Sequence, residues 1–428
     1  MNSALLLIIL IFVLLALGVN IGVALTLPIM IVLITDPVLT QSYVASTFYT
    51  QVASFTSISM PFFILAGAVM EVGGLSSRLV NFCNSLIGRM TGSLGFVTIM
   101  ASFFFGAVSG SATATVAAIG AIMLPEMVKA GYNKYYAISL VAAAGGLGII
   151  VPPSFPMVVY GSTMNASIGT LFIAGIGPAI VIAAILVVAN YVYCKRKGLK
   201  GTSKFSWKGV WVAFKDGWPA LIMPIIILGG IYSGIFTTTE AAVVSVVYGI
   251  LIGVFYYKEL KLKPLYEMFR SNTVFIAASM LTLAPAGALG RMFSVLGITS
   301  AINNFFLNLT SNPYVVMTII FGILFIAGMF VSTVPMIVIF GPMLYNVASQ
   351  YGIDIFHFGI VMIIALAIAF VTPPVAANLF IVSSLTGIPV NRYMKHLLPF
   401  VGLLILGLFI VGFNPSITWS FVNLFSGG

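Results

Sequence analysis

The sequence predicts an all-α polytopic membrane protein with two inverted repeats, each containing a re-entrant helical hairpin and a broken helix. Apolar residues make up 61% of the 428 residues and charged residues only 6%, and long apolar runs recur from end to end. Such runs are typical of membrane-spanning helices. Proline pairs at 152–153 and 373–374 interrupt two of the runs. Because proline removes a backbone donor and clashes with an earlier carbonyl, each pair should break its helix.

The first half contains five predicted spans and one helix at the membrane surface. The predicted spans are residues 3–17, 22–34, 53–72, 135–160 with the first break, and 168–193. The first run lacks a basic n-region and a clear cleavage site, so we expect a retained span and not a signal peptide. Segment 75–90 carries Arg78 and Arg89 with apolar residues at helical spacing, which is typical of an interfacial amphipathic helix.

A hairpin is predicted between the third and fourth spans of this half. The apolar runs Gly95 to Val108 and Ala112 to Val128 are separated by Ser-Gly-Ser. At ~1.5 Å per residue each arm reaches only ~20–25 Å, which is shorter than a hydrocarbon core of ~30 Å. Two short arms around a small polar tip favour a re-entrant hairpin over two spans.

The second half repeats this plan. Its predicted spans are residues 218–236, 241–257, 271–289, 358–385 with the second break, and 397–413. A second interfacial helix is predicted at 298–309, and a second hairpin is predicted from 314–331 and 336–348 around Ser332 and Thr333. The pairs Ser111 and Ser332, Gly131 and Gly352, and the two proline pairs are each 221 residues apart. This common spacing indicates an internal duplication.

The distribution of lysine and arginine predicts the orientation. If the polar connection at 194–217 is cytoplasmic, 17 of the 18 basic residues fall on that side, and only Arg291 does not. This agrees with the positive-inside rule and gives the two halves opposite topology. The net charge of +10 is thus explained by topology and not by nucleic-acid binding. Inverted repeats with broken helices are typical of secondary transporters, whose sites lie near the midplane.

The candidate site is the region where the hairpin tips meet the broken helices. Carbonyl and hydroxyl oxygens there can bind sodium without a buried carboxylate. The predicted sodium residues are Ser109, Gly110, Ser111, Thr113, Gly146, Gly148, Pro152, Val331, Ser332, Thr333, Thr372 and Pro373. Each returning helix begins at its tip, so its positive dipole end favours an anionic substrate. The predicted substrate residues are Ser154, Thr115, Asn378 and Arg291. Alternatively, the hydroxyls only cap helix ends and allow close helix contacts.

The few charged residues inside apolar regions have competing explanations. Thr237 and Glu240 fit a capping box, and we prefer this structural role for Glu240 over proton carrying. Arg291 either attracts an anion or snorkels to the outer interface. His357 and His396 stand at predicted span ends, which predicts interfacial positions. The sequence contains no P-loop, no HExxH motif and too few acidic residues for a metal-dependent active site, so no motif predicts an enzyme.

Four motifs carry a family resemblance. These are FFGAVSGSATATVAAIGAIMLPEM, GIIVPPSFPMVVYG, GIFTTTEAAVVSVVYG and VTPPVAANLF. Together they resemble the large membrane subunit of TRAP (tripartite ATP-independent periplasmic) transporters, in family order and over nearly the whole chain. The departures are mild: Ala112, Thr238, Ala376 and Ala377 stand where the family usually has other residues.

The resemblance implies an elevator-type carrier of the bacterial inner membrane that is driven by sodium (Na+). It implies a small four-helix membrane subunit and a periplasmic substrate-binding protein as partners, and an organic acid anion such as sialic acid or a C4-dicarboxylate as substrate. The likeness is greatest to the sialic acid branch. It also implies scaffold helices at 1–74 and 218–297, arm helices at 75–90 and 298–310, transport-domain halves at 91–165 and 311–390, a last helix and cytoplasmic connection at 166–217, and a C-terminal helix at 391–428.

Two other functions compete with this interpretation. A stand-alone sodium/dicarboxylate symporter of similar inverted-repeat fold would need neither partner. A membrane-embedded enzyme acting on lipid-linked substrates is disfavoured, because the predicted spans contain few acidic, histidine or cysteine residues.

Overall fold

The computed structural model describes residues 3–35, 40–87, 90–199, 201, 206–374 and 376–425. Arg89 of the predicted interfacial segment lies outside the described residues. The helices of the first half are α1 (Ser3–Ala16), α2 (Ile21–Thr35), α3 (Gln41–Ala53), α4 (Phe55–Val72), α5 (Leu75–Ile87), α6 (Ser93–Ser109), α7 (Ala112–Lys129), α8 (Lys134–Gly145), α9 (Leu147–Ile150), α10 (Phe155–Met164) and α11 (Ile168–Lys197).

The second half largely repeats this succession of elements. Its helices are α12 (Trp207–Tyr232), α13 (Thr238–Leu251) with a π-helical continuation (Ile252–Tyr256), α14 (Leu262–Leu283), α15 (Ala286–Val295), α16 (Ile298–Leu309), α17 (Pro313–Gly328), α18 (Thr333–Gln350), α19 (Ile355–Ala369), α20 (Ala377–Thr386), α21 (Val390–Gly412) and α22 (Pro415–Phe425). In this half α19 stands where the first half has α8 and α9, and a further helix, α22, follows at the end. Among the described residues, six helices are long and apolar enough to cross a membrane, or up to eight if each bent pair is one span. The predicted all-α membrane fold is confirmed.

Both proline pairs interrupt helices, as predicted. The first separates α9 from α10, and the helices on its two sides are bent by 40° relative to each other. The second lies between α19 and α20. Both Pro-Pro peptide bonds are cis. The helix pairs α6–α7 and α17–α18 form the two predicted hairpins; their re-entrant position in a membrane stays a prediction.

The two broken helices cross each other in antiparallel fashion. Tyr160 of α10, after the first break, donates a hydrogen bond of 2.8 Å to Ile355 O at the start of α19. Asn378 of α20, after the second break, donates from Nδ2 to Ala142 O of α8 at 3.1 Å. The part after each break therefore contacts the part before the other, which is the arrangement that inverted repeats produce.

Three features of the helices were not predicted. The polar segment before the third span contains α3, because Thr40 caps it by accepting a hydrogen bond from Tyr43 N. The predicted span 271–289 is divided, because Pro285 separates α14 from α15. The predicted last span is followed by another helix, α22.

His357 lies in the first turn of α19; its predicted interfacial depth stays a prediction, but the structure shows what surrounds it. Its side chain is buried, with Nδ1 2.8 Å from Thr418 Oγ1 and Nε2 3.1 Å from Gly412 O. Thr418 belongs to α22, the helix that was not expected, and this helix covers the imidazole. The imidazole of His357 thus has its hydrogen-bond partners inside the fold.

The segment at 75–87 forms the helix α5, whose position at the membrane surface stays a prediction, and Arg78 connects it to the second half. The guanidinium forms ion pairs with Glu259 at 2.8 Å and Asp216 at 3.4 Å and stacks over the Tyr257 ring at 3.8 Å from its centroid. Its Nη1 also donates to Gly74 O at 2.7 Å. One side chain thus fixes α5 to α12 through Asp216, and to the segment between α13 and α14 through Tyr257 and Glu259.

The predicted capping box of α13 is present. Thr237 N donates to Glu240 Oε2 at 2.8 Å, and Glu240 N donates to Thr237 Oγ1 at 3.3 Å. We expect Glu240→Ala to lower the unfolding temperature, because it removes the acceptor of the box, whereas Glu240→Gln, which can keep the box, should unfold close to the wild-type temperature. Thermal unfolding of both variants in detergent measures this difference. An alanine variant that unfolds at the wild-type temperature would show that the box contributes nothing.

Candidate functional site

The first hairpin tip is held together by its own hydroxyl and carbonyl groups. Helix α6 ends at Gly110, which has a positive φ of 59° and donates from N to Gly106 O. Ser111 caps α7 by accepting from Ala114 N at 3.4 Å. Thr115 Oγ1 donates to Ser111 O at 2.7 Å and lies 3.2 Å from Ser109 Oγ. Helix capping is therefore one role of Ser111, and the tip is also a dense cluster of neutral oxygens.

The first break packs directly on this tip. Phe155 N, at the start of α10, donates to Gly110 O at 3.2 Å. A Cβ atom on Gly148 would collide with Ser111 O and Thr115 Oγ1, and one on Gly106 would lie 2.9 Å from the Gly148 Cα. The tip and the break thus approach backbone to backbone, and only glycine leaves room at this contact.

The broken segment leaves backbone groups that side chains and short turns must satisfy. Gly146 N donates to Ala143 O, and Val151 N donates to Leu147 O. Ser154 is buried, and its hydroxyl donates to Ile149 O at 2.6 Å. The predicted substrate residue Ser154 therefore lies in the break, and its hydroxyl hydrogen is already used in a hydrogen bond to the backbone. Pro152 is also buried in the break.

The second tip is more open than the first. Ser332 precedes α18 without a side-chain cap and is exposed, whereas Thr333 is buried. Within the described ranges, neither hydroxyl makes a hydrogen bond to another group. The tip still adjoins its own break, since a Cβ atom on Gly328 would lie 2.9 Å from Ala369 Cβ. Thr372 Oγ1 donates to Ile368 O at 2.9 Å. Val331 lies in the turn before Ser332, and Pro373 follows Thr372.

Asn378 joins the two breaks. Its backbone N donates to Phe370 O and its Nδ2 to Ala142 O, both at 3.1 Å. Its Oδ1 is buried and has no hydrogen-bond partner among the described residues. A buried acceptor left unpaired costs about 1–3 kcal/mol, so a bound cation or polar group would stabilise it. Asn378 was predicted as a substrate residue, and the structure adds a free oxygen at the junction of both breaks.

The charges around the tips are few. Among the described residues there is no group of three His, Cys, Asp or Glu that could hold a metal ion. Neutral hydroxyl, amide and carbonyl oxygens suit a monovalent cation such as sodium better than a divalent ion, which prefers carboxylates. Arg291 is exposed on α15, and in the described part of the chain no hydrogen bond or ion pair joins it to either tip. The structure therefore does not bring Arg291 together with the other candidates.

Helix α4 contributes contacts that the sequence analysis missed. A Cβ atom on Gly67 would lie 2.6 Å from Ser109 O, and Ser57 Oγ lies 2.6 Å from Ser162 Oγ of α10. Small residues at membrane helix contacts could have indicated a close approach. The sequence does not reveal which helix they approach, because the partners are distant in the chain.

Comparisons with known proteins agree with the motifs. The family model described as the DctM component of tripartite ATP-independent periplasmic transporters matches residues 8–417. The chain is 39% identical over 386 residues to the isethionate TRAP transporter permease protein DctMQ of Oleidesulfovibrio alaskensis, covering 89% of this chain and 60% of that protein.

Two other relatives match over most of their own length. The C4-dicarboxylate large permease protein DctM of Pseudomonas aeruginosa is 35% identical, covering 92% of both chains. The sialic acid large permease protein SiaM of Vibrio cholerae is 36% identical, covering 87% of this chain and 88% of that protein. The crystal structure of the Alcanivorax borkumensis YdaH transporter matches 98% of this chain with a TM-score of 0.64 and 12% identity, which shows similarity of fold alone.

Proposed function

Because the chain belongs to the DctM component family of tripartite ATP-independent periplasmic transporters, we propose that it is the large permease subunit of a sodium-coupled importer of an organic acid anion. It is a multi-pass protein of the bacterial inner membrane. The three relatives described above are named for isethionate, C4-dicarboxylates and sialic acid. All three compounds are organic acids. Because the identities of the three relatives to this chain are similar, they support an organic acid such as sialic acid or a C4-dicarboxylate as the substrate class, without selecting one compound.

The observation that carries this proposal is the paired tip and break. Helix α7 begins at the first tip and α18 at the second. The positive dipole end of each helix favours an anion there. Sodium is a second cargo in this scheme, held by oxygens of Ser109, Gly110 and Ser111 with the backbone at Gly146 and Gly148, and by the corresponding groups Ser332, Thr333 and Thr372. We propose the free Oδ1 of Asn378 as a further sodium ligand at the junction of the breaks. Its charge would offset that of the substrate during transport.

An elevator movement is the proposed way of moving both cargoes. The hairpins and broken helices would travel as one unit past α4 and its neighbours. The contacts that support this idea involve small residues. Gly67 lies against the Ser109 backbone, and the hydroxyl of Ser57 forms a hydrogen bond with the hydroxyl of Ser162. At both contacts small residues allow the backbones of the two helices to approach closely, with no large side chain between them.

Reconstitution tests the proposed function. We expect proteoliposomes to take up an organic acid only when they contain this chain and a small four-helix membrane subunit, with a periplasmic binding protein and an inward sodium gradient. Assays of sialic acid and of C4-dicarboxylates separate the two substrate classes. Uptake of free substrate by this chain alone would contradict the proposal and favour the stand-alone symporter.

Sodium dependence can be assigned to the tips by removing single hydroxyls. Ser111→Ala and Ser332→Ala should each raise the sodium concentration for half-maximal uptake by about fivefold, because one lost oxygen contact costs on the order of 1 kcal/mol. Ser349→Ala is the matched control, since Ser349 lies on α18 away from the tip and donates only to Asn346 O of its own helix. An unchanged sodium response in both tip variants would exclude the tips as ion sites.

A further inference from the structure

An apolar groove runs between α8, α11 and α21, away from both hairpin tips. Its volume is about 770 Å³. Most of its wall is aliphatic, including Val181, Ala184, Val188 and Val192 of α11 and Pro399 and Leu403 of α21. The α11 residues recur every three or four positions, so they form one stripe along that helix.

The length of the groove corresponds to one leaflet of a bilayer. Its lining on α11 extends from Val181 to Arg196, which is about 22 Å at the rise of an α-helix. A bilayer is ~40–45 Å thick with its headgroups, so one leaflet is roughly 20–22 Å. The groove can therefore accommodate a lipid from headgroup to chain end.

One end of the groove is basic. Arg196 lies in the last turn of α11, and Lys395 and His396 lie near the start of α21. Over the described ranges, neither Arg196 nor Lys395 has an acidic partner, and the buried Nδ1 of His396 has no hydrogen-bond partner. The wall behind them is the stacked pair Tyr136 and Tyr193, whose ring centroids are 3.5 Å apart. The positive-inside rule puts this end at the cytoplasmic surface.

We propose that this groove binds one anionic phospholipid of the cytoplasmic leaflet. The acyl chain lies on the aliphatic stripe, and the phosphate accepts hydrogen bonds from Arg196 and Lys395. Basic pockets between transmembrane helices on the cytoplasmic side suit anionic headgroups. The aliphatic wall excludes a small hydrophilic anion as the natural occupant. This site is separate from the tips, so its test does not depend on transport.

Thermal unfolding of the purified chain in detergent tests the proposal. We expect phosphatidylglycerol to raise the unfolding temperature more than phosphatidylcholine with the same acyl chains, and native mass spectrometry to show one retained phosphatidylglycerol. The double variant Arg196→Gln with Lys395→Gln should lose at least half of the phosphatidylglycerol shift. The double variant Lys197→Gln with Arg392→Gln is the control, because it removes equal charge from the same helices but outside the groove.

A second variant tests the apolar part without changing charge. Ala184→Trp should occupy the groove at the aliphatic stripe and prevent retention of phosphatidylglycerol. This variant keeps the proposal testable if the charge variants fail to fold. Equal stabilisation by phosphatidylcholine, or by inorganic phosphate alone, would overturn the proposal. So would an equal loss in the control variant, or crosslinking of the groove to the small subunit, which would make a protein the occupant.

Discussion

Gly148→Val should reduce uptake by roughly 5- to 150-fold while the chain still folds and inserts. The added side chain would occupy the space that Ser111 O and Thr115 Oγ1 now fill. Overpacking of a close contact costs about 1–3 kcal/mol, and each 1.4 kcal/mol is a factor of about ten. Because the tip and the break are predicted to hold the sodium ion between them, their separation should affect uptake more than overall stability. Initial rates of uptake in proteoliposomes measure the effect.

Gly322→Val is the matched control for this variant. Gly322 lies on α17 of the second hairpin, and a Cβ atom there would meet nothing within 4 Å. Both variants put a β-branched residue into an apolar helix, so they share any general effect of valine on helix formation. Wild-type uptake by the Gly148 variant would mean that this tip and break need not touch during transport.

Asn378→Leu should abolish most of the stimulation of uptake by sodium. The substitution removes the unpaired Oδ1 and also the hydrogen bond from Nδ2 to Ala142 O. Losses of about 1–3 kcal/mol correspond to a decrease of roughly 5- to 150-fold in sodium affinity. A sodium titration of uptake gives the affinity. The rise in unfolding temperature on adding sodium chloride gives an independent measure that does not require transport.

Asn414→Leu provides the comparison for Asn378→Leu. Asn414 is exposed at the end of α21 and donates from Nδ2 only to Ile410 O of the same helix. Its substitution should leave the sodium response unchanged. If sodium stabilised the Asn378 variant as much as the wild-type chain, the free Oδ1 would not be an ion ligand.

The sequence allowed prediction of features that depend on local chemistry. A proline pair breaks a helix wherever it stands, and Ser-Gly-Ser between short apolar arms predicts a tip, so Pro152, Pro373 and Ser111 could be found without a structure. The capping box at Glu240 could be predicted for the same reason, since its two hydrogen bonds join residues only three positions apart.

Contacts between distant segments could not be predicted in this way. Asn378 reaches Ala142 across 236 positions, and nothing in either local sequence specifies that pairing. The burial of His357 could not be predicted, because α22, which carries its partner Thr418, was not expected. Arg291 was selected because it was the only basic residue predicted outside the cytoplasmic side. The side of the membrane on which a residue lies does not determine its distance from the hairpin tips.

The antiparallel crossing of the broken helices has a consequence for how the two halves communicate. Each break forms part of the wall around the other, and Asn378 connects them by one hydrogen bond to Ala142 O. Any ligand that prefers one geometry of the first break therefore also changes the free energy of the second, and linkage makes this effect reciprocal. Cooperativity between the two halves of the molecule then requires no relay of intervening side chains, because the coupled elements are in direct contact.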